Sequence, residues 1–207
     1  MNLKKEKVIF LILIIFFFVF IFYRFFFQKE ISFKELENKK PSLINQETVV
    51  KKTTRFLDGN VVNEGKENLL PISVILENSI GAPRPSLSSF SIVYEIPVEG
   101  GLTRFLGIFD LEELPEVLGP IRSARPAFAE IAEEYKAVFI HAGGSPEVLQ
   151  KIKSGFYQIY NLDEVSWQGF YFRRNYNLER PHNLFIEREA IKKFIKDEKI
   201  GNKADFI

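Results

Sequence analysis

The sequence has no cysteine. That excludes disulfides, thiolate zinc sites, iron–sulfur clusters, thiol catalysis and a lipid-bearing cysteine within these 207 residues. Histidine is nearly as scarce. There are two, His141 and His182, and neither belongs to an HxH, HxxxH or HExxH spacing, so no metal site is expected. A phosphate loop ending in Lys-Ser/Thr is missing, as is a GxSxG nucleophile elbow, and no cofactor is expected. Net charge is small: 28 Lys+Arg stand against 27 Asp+Glu. A broad basic surface for nucleic acid is therefore excluded.

What is plentiful is phenylalanine, and nine of the 22 lie within Phe10–Phe27. Val8–Tyr23 carries no charge, and after Arg24 the run resumes with Phe25-Phe26-Phe27. As a helix, Val8–Phe27 would be about 30 Å long, the thickness of a bilayer's hydrocarbon core. Arg24 near its far end can snorkel to the headgroups. Lys4, Lys5 and Lys7 precede the run, which orients the N-terminus to the cytoplasm and the remainder outside. No small-x-small cleavage site follows, so residues 1–27 read as a single-pass signal-anchor in a cell membrane. Residues 28–68, rich in Lys, Glu, Asn and Thr, read as a polar stalk. Residues 69–207 read as the folded domain.

In that domain Ile72–Leu76, Ile92–Val98, Leu102–Phe109, Ala137–Ala142 and Phe156–Leu162 are strand-like. Pro126–Lys136, the segment after Pro146, and Arg188–Lys196 carry apolar residues at helical spacing. Ser145 and Pro146 suit the N-cap and first position of the middle helix. Gly100-Gly101 fits a two-residue hairpin turn with Glu99 opposite Leu102. That register places Glu95, Glu99 and Arg104 on one face, and Tyr94, Ile96, Val98, Phe105 and Phe109 on the other. The fold class is α/β: a mixed sheet with a β-hairpin and flanking helices, preceded by one N-terminal transmembrane helix.

Two segments can carry chemistry. Gly143, Gly144 and Ser145 join a strand to a helix, where unpaired amides and the dipole favour an anion; a plain capped turn has the same sequence. Arg122, Ser123 and Arg125 precede another helix, where cations oppose the dipole unless an anion is near. That anion is either a ligand or an internal partner such as Glu95 or Glu99. Candidate ligand-binding residues are thus Arg104, Arg122, Ser123, Arg125, Gly143, Gly144, Ser145 and Asn183. Catalytic residues are not identified; Glu95, Glu99, His141 and His182 are the candidates for proton transfer.

Arg84-Pro85, Ile92–Glu95, Val98–Phe105, Gly119–Arg125, His141–Glu147 and Pro181–Leu184 follow one another in an order that resembles the YerB-like family of bacterial envelope proteins. The resemblance runs from about Leu57 to the C-terminus. It implies an extracytoplasmic domain of uncharacterised function. Members of that family typically carry a lipid-anchoring cysteine and a second, β-rich C-terminal domain. Here an anchor at residues 8–27 is expected to replace the lipid, and only the family's N-terminal domain is expected. The expected role is binding of an anionic envelope ligand or an envelope protein. The alternatives are an enzyme on a phosphorylated or glycan polymer, and a scaffold in an envelope complex.

Overall fold

The computed structural model describes residues 14–24, 51–83 and 87–204. The chain divides into two units, Met1–Val49 and Val50–Ile207. In the first, residues 14–24 form helix α1, and its apolar side chains from Ile14 to Tyr23 are exposed. Eleven helical residues span about 16 Å, roughly half a bilayer core. No helix among the described residues is long and apolar enough to cross a membrane. The remainder of the expected span, the lysines before it and residues 28–50 lie outside the described residues.

The second unit starts earlier than the expected domain boundary. Strands β1 (Lys52–Thr54) and β2 (Val61–Asn63) pair antiparallel within what reads as stalk. Arg55 ties this segment down. Its guanidinium is 3% exposed and meets Asp58 at 2.5 Å, Glu113 at 2.8 Å and Asp110 at 3.5 Å. A polar composition concealed a buried ion-pair network.

The main sheet has five strands. They are β3 (Pro71–Glu77), β4 (Ile92–Pro97), β5 (Thr103–Asp110), β7 (Val138–His141) and β8 (Tyr160–Asp163), in the order β4-β5-β3-β7-β8. β4, β5 and β3 are antiparallel neighbours, whereas β3, β7 and β8 run parallel. The sheet is mixed, as expected. β3 reads PISVILE and is buried along its whole length, which suits a central strand covered on both faces. On one face Ile75, Leu106, Ile108 and Phe139 pack against α2 (Pro126–Glu134) and Val148 of α3 (Pro146–Lys153). On the other, Ile72, Val74, Phe109 and Ile140 meet α4 (Arg188–Asp197) and a small sheet of β6 (Val117–Leu118), β9 (Phe172–Arg174) and β10 (Leu184–Glu187). That second sheet was not expected.

The hairpin register differs from the expected one. Glu99, Gly100 and Gly101 form a three-residue 3-10 turn, and the Val98 N–H donates to the Leu102 carbonyl. Gly100 and Gly101 take φ of 75° and 70°, which glycine adopts without strain. Ile96 therefore faces Arg104, and Glu95 faces Phe105. A one-residue slip reverses which face a side chain meets, so Arg104 and Glu95 lie on opposite faces. Tyr94 and Ile96 pack beneath the helices, whereas Phe105 and Phe109 join the other core.

Candidate functional site

Each of the three parallel strands ends in a titratable residue: Glu77 on β3, His141 on β7, Asp163 on β8. All three are buried. Carboxyl ends of parallel strands are where α/β sheets place their sites. Here an extended segment, Gly119–Ala124, crosses those ends. The Glu77 N–H donates to the Pro120 carbonyl, and the Arg122 N–H to that of Ile75. The Ala142 N–H donates to the Arg122 carbonyl, and the Ala124 N–H to that of Gly143. The crossing is knitted to β3 on one side and to the end of β7 on the other.

The side chains of this segment sort themselves by partner. Arg125, the N-cap residue of α2, grips Glu99 with a fork: Nε to Oε1 at 2.6 Å and Nη2 to Oε2 at 2.8 Å. That fork holds the Glu99 carboxyl far below its ordinary range, at about 2. Arg122 Nε lies 3.1 Å from Glu77 Oε2, an ionic contact whose N–H is not aligned as a hydrogen bond. Its Nη1 donates to the Pro181 carbonyl at 3.2 Å.

Glu77 is the hub, and the sequence reading missed it. Its Oε1 accepts from Ser79 Oγ at 2.6 Å and from the N–H groups of Ser79 and Asn78. Its Oε2 faces His182 Nδ1 at 3.0 Å as well as Arg122. Burial works to raise its proton affinity, but the Ser79 bonds and the Arg122 charge together outweigh that and lower it. A carboxylate closing an otherwise apolar, doubly covered strand was the available clue, because a buried charge requires partners.

Arg104 has a different environment. It is 8% exposed, donates from Nη1 to the Ser123 carbonyl at 2.7 Å, and makes no ion pair among the described residues. Burial lowers its proton affinity, and the neighbouring charges of Arg122 and Arg125 lower it further.

The expected amide nest is not open. The Gly143 N–H donates to Asp163 Oδ1 at 2.7 Å, and the Ser145 N–H to the Ala124 carbonyl. Ser145 caps α3 by accepting from the Val148 N–H. Gly144 is required for packing: a Cβ there would lie 2.8 Å from Val148 Cγ1. His141 is closed off too. It is fully buried, with Nδ1 2.8 Å from the Gly143 carbonyl and Nε2 2.8 Å from Asn161 Oδ1. A neutral ring satisfies both contacts once the Asn161 amide turns to donate. Glu95 sits exposed on the β4 edge, accepting from Asn78 Nδ2 and Thr103 Oγ1. Among the described residues no three His, Cys, Asp or Glu side chains converge on a metal position.

Beside these closed contacts lies a cleft of about 270 Å³ lined by Ile121, Arg122, Ser123, Ala142, Glu164, Arg174, Arg180, Pro181 and Leu184. Arg174 spans its wall, donating from Nη2 to Glu164 and from Nη1 to Asn183 Oδ1. Arg180 is exposed and has no carboxylate partner among the described residues. Of the expected ligand residues, the cleft gathers Arg122 and Ser123, with Asn183 behind Arg174. Arg180 and Glu164 were not expected.

A family model described as "Protein of unknown function (DUF3048) N-terminal domain" matches residues 57–201. The chain belongs to this family. A curated relative is YerB of Bacillus subtilis (strain 168), whose name proposes a lipoprotein. It is 36% identical over 124 residues, 59% of this chain and 37% of that protein. The crystal structure of Bacillus subtilis YerB matches with a TM-score of 0.68 at 30% identity, over 74% of this chain and 52% of the other. The chain therefore spans about a third of its curated relative's length. Arg84-Pro85, part of the motif order that pointed to this family, falls outside the described residues.

Proposed function

We propose that this domain binds an anionic group, a phosphate or a carboxylate, on the outer side of a bacterial membrane. The observation that carries the reading is a cleft supplied with Arg122, Arg174 and Arg180 against the single carboxylate of Glu164. It is sharpened by Arg104, a buried arginine on the Ser123 carbonyl that makes no ion pair among the described residues. Residues 50–207 hold 20 Lys+Arg and 22 Asp+Glu, so this cationic region stands on an acidic domain. Arginine forks match phosphate and carboxylate oxygens two at a time. The outer location draws on the apolar run Val8–Phe27 behind three lysines, and on the lipoprotein name of YerB. The test is titration of inorganic phosphate into the full chain in detergent, by calorimetry. Saturable binding is expected, weakened about tenfold or more in Arg180→Ala, since a charged hydrogen bond contributes about 1.5–3 kcal/mol. No saturable response up to millimolar phosphate removes the reading.

A further inference from the structure

A histidine adjoins the cleft. His182 follows Arg180 and Pro181, two of its lining residues. The His182 side chain is 33% exposed, and its Nδ1 is fixed on the buried Glu77 carboxylate. With Glu77 held in its ionised form, Nδ1 carries the hydrogen and donates it. Nε2, on the opposite side of the ring, has no hydrogen-bond partner among the described residues. A second-layer carboxylate that fixes tautomer and ring orientation is the arrangement by which histidines become general bases. Arg122 shares the same Glu77 oxygen and presents its guanidinium to the cleft, where a negative oxygen would be held.

We infer that this is a hydrolytic site for phosphate esters, with His182 as general base and Glu77 as its positioning residue. The inference rests on the anion-binding reading of the cleft. In the step, His182 Nε2 takes a proton from water as the water oxygen bonds to phosphorus. The phosphorus–oxygen bond to the alcohol breaks, and its electron pair leaves with the alcohol oxygen. That oxygen takes the proton back from the imidazolium. One water is consumed and no other reactant is needed. Arg122 and Arg180 hold the non-bridging oxygens as charge builds on them. The charged groups near His182 are Glu77, which it contacts, Arg122 on the same Glu77 oxygen, and Arg180, Glu164 and Arg174 of the adjoining cleft. His141 has no part, being sealed in the sheet.

The experiment uses the full chain with p-nitrophenyl phosphate and bis(p-nitrophenyl) phosphate, which separate monoester from diester chemistry. Phosphate affinity is measured in parallel. Turnover of one of them is expected. His182→Gln is expected to remove it by about a hundredfold or more, in the range of acid–base catalysis, with phosphate affinity unchanged. Glu77→Gln is expected to shift the acid limb of the pH–rate profile, which a merely structural residue would not do. If that variant fails to fold, the His182→Gln comparison decides alone. Phosphate binding without turnover of either ester overturns the hydrolytic assignment and leaves the anion site standing, as does full activity in His182→Gln. Absence of phosphate binding overturns both.

Discussion

Replacing Arg104 by Met separates a cation kept for a ligand from one kept for the fold. Among the described residues Arg104 gives one hydrogen bond, to the Ser123 carbonyl, and no ion pair. Losing a charged hydrogen bond costs about 1.5–3 kcal/mol. Against this, the substitution removes a guanidinium that is 8% exposed and repelled by Arg122 and Arg125, and desolvating such a charge costs several kcal/mol, only part of which the attraction of Glu77 and Glu99 returns. Methionine keeps the apolar stem opposite Ile96. The two effects nearly cancel, so unliganded stability is expected to change by less than about 1 kcal/mol. Arg55→Met is the contrast, because it strands Asp58 and Asp110, 7% and 3% exposed. Breaking such a pair costs about 3–5 kcal/mol. Urea unfolding followed through Trp167, the single tryptophan, packed on Tyr171 and Phe194, reads both variants. Phosphate should stabilise the parent and fail to stabilise Arg104→Met. The reasoning is refuted if Arg104→Met costs as much as Arg55→Met, or responds to phosphate as the parent does.

Three further outcomes are expected. The Glu99 carboxyl should titrate at about 2 by carbon-13 NMR, and return toward 4.5 in Arg125→Gln. Because its folded pKa lies below the unfolded one, the Glu99–Arg125 fork favours folding at neutral pH and ceases to do so as pH falls from about 4.5 to about 2. Gly107→Ala should cost about 2–3 kcal/mol, because the new Cβ would lie 1.8 Å from the Phe90 ring, which stacks on Phe109 at 4.5 Å. If the clash is the cause, Gly107→Ala placed on Phe90→Ala adds almost nothing; an undiminished cost there points elsewhere. An alkaline phosphatase fusion after Ile207 should be active and a cytoplasmic reporter silent, and the reverse pattern overturns the signal-anchor orientation.

The elements legible in the sequence were those with a long, unambiguous period. Ile72–Leu76, interrupted only by Ser73, and Ala137–Ile140 are apolar runs and became doubly covered strands. α2, α3 and α4 declared themselves by spacing, and Ser145-Pro146 by capping chemistry. The second sheet stayed hidden because strands of two to four residues are too short to show alternation. The hairpin was found but mis-registered, since Glu-Gly-Gly accommodates a two- or a three-residue loop and only packing selects. That single residue separated Arg104 from Glu95. Arg122 and Arg125 were legible as cations at a helix start, with Ser123 between them, although Glu99 takes up Arg125 and the cleft keeps only Arg122 and Ser123. Glu77 and Arg180 were not legible, because 103 residues separate them and only the fold brings them to one end of the sheet.

That crossing segment also explains why fold and site can be perturbed separately. Along Gly119–Ala124 the backbone does the structural work, through bonds to Ile75, Glu77, Ala142 and Gly143 that no side chain enters. The side chains of Arg122 and Ser123 are thereby left to face the cleft. Gly119 is held there by space: a Cβ would lie 2.4 Å from Phe185 and 2.7 Å from the Leu184 carbonyl. Hence Gly119→Ala must push the crossing strand off the sheet and disturb every cleft residue at once. Arg180→Ala, on the exposed rim, removes charge alone. A domain whose arginines served only to hold it together would show no such division. Its cleft variants would lose stability in proportion to the ion pairs they break, and Arg180, which breaks none, would be silent in every assay.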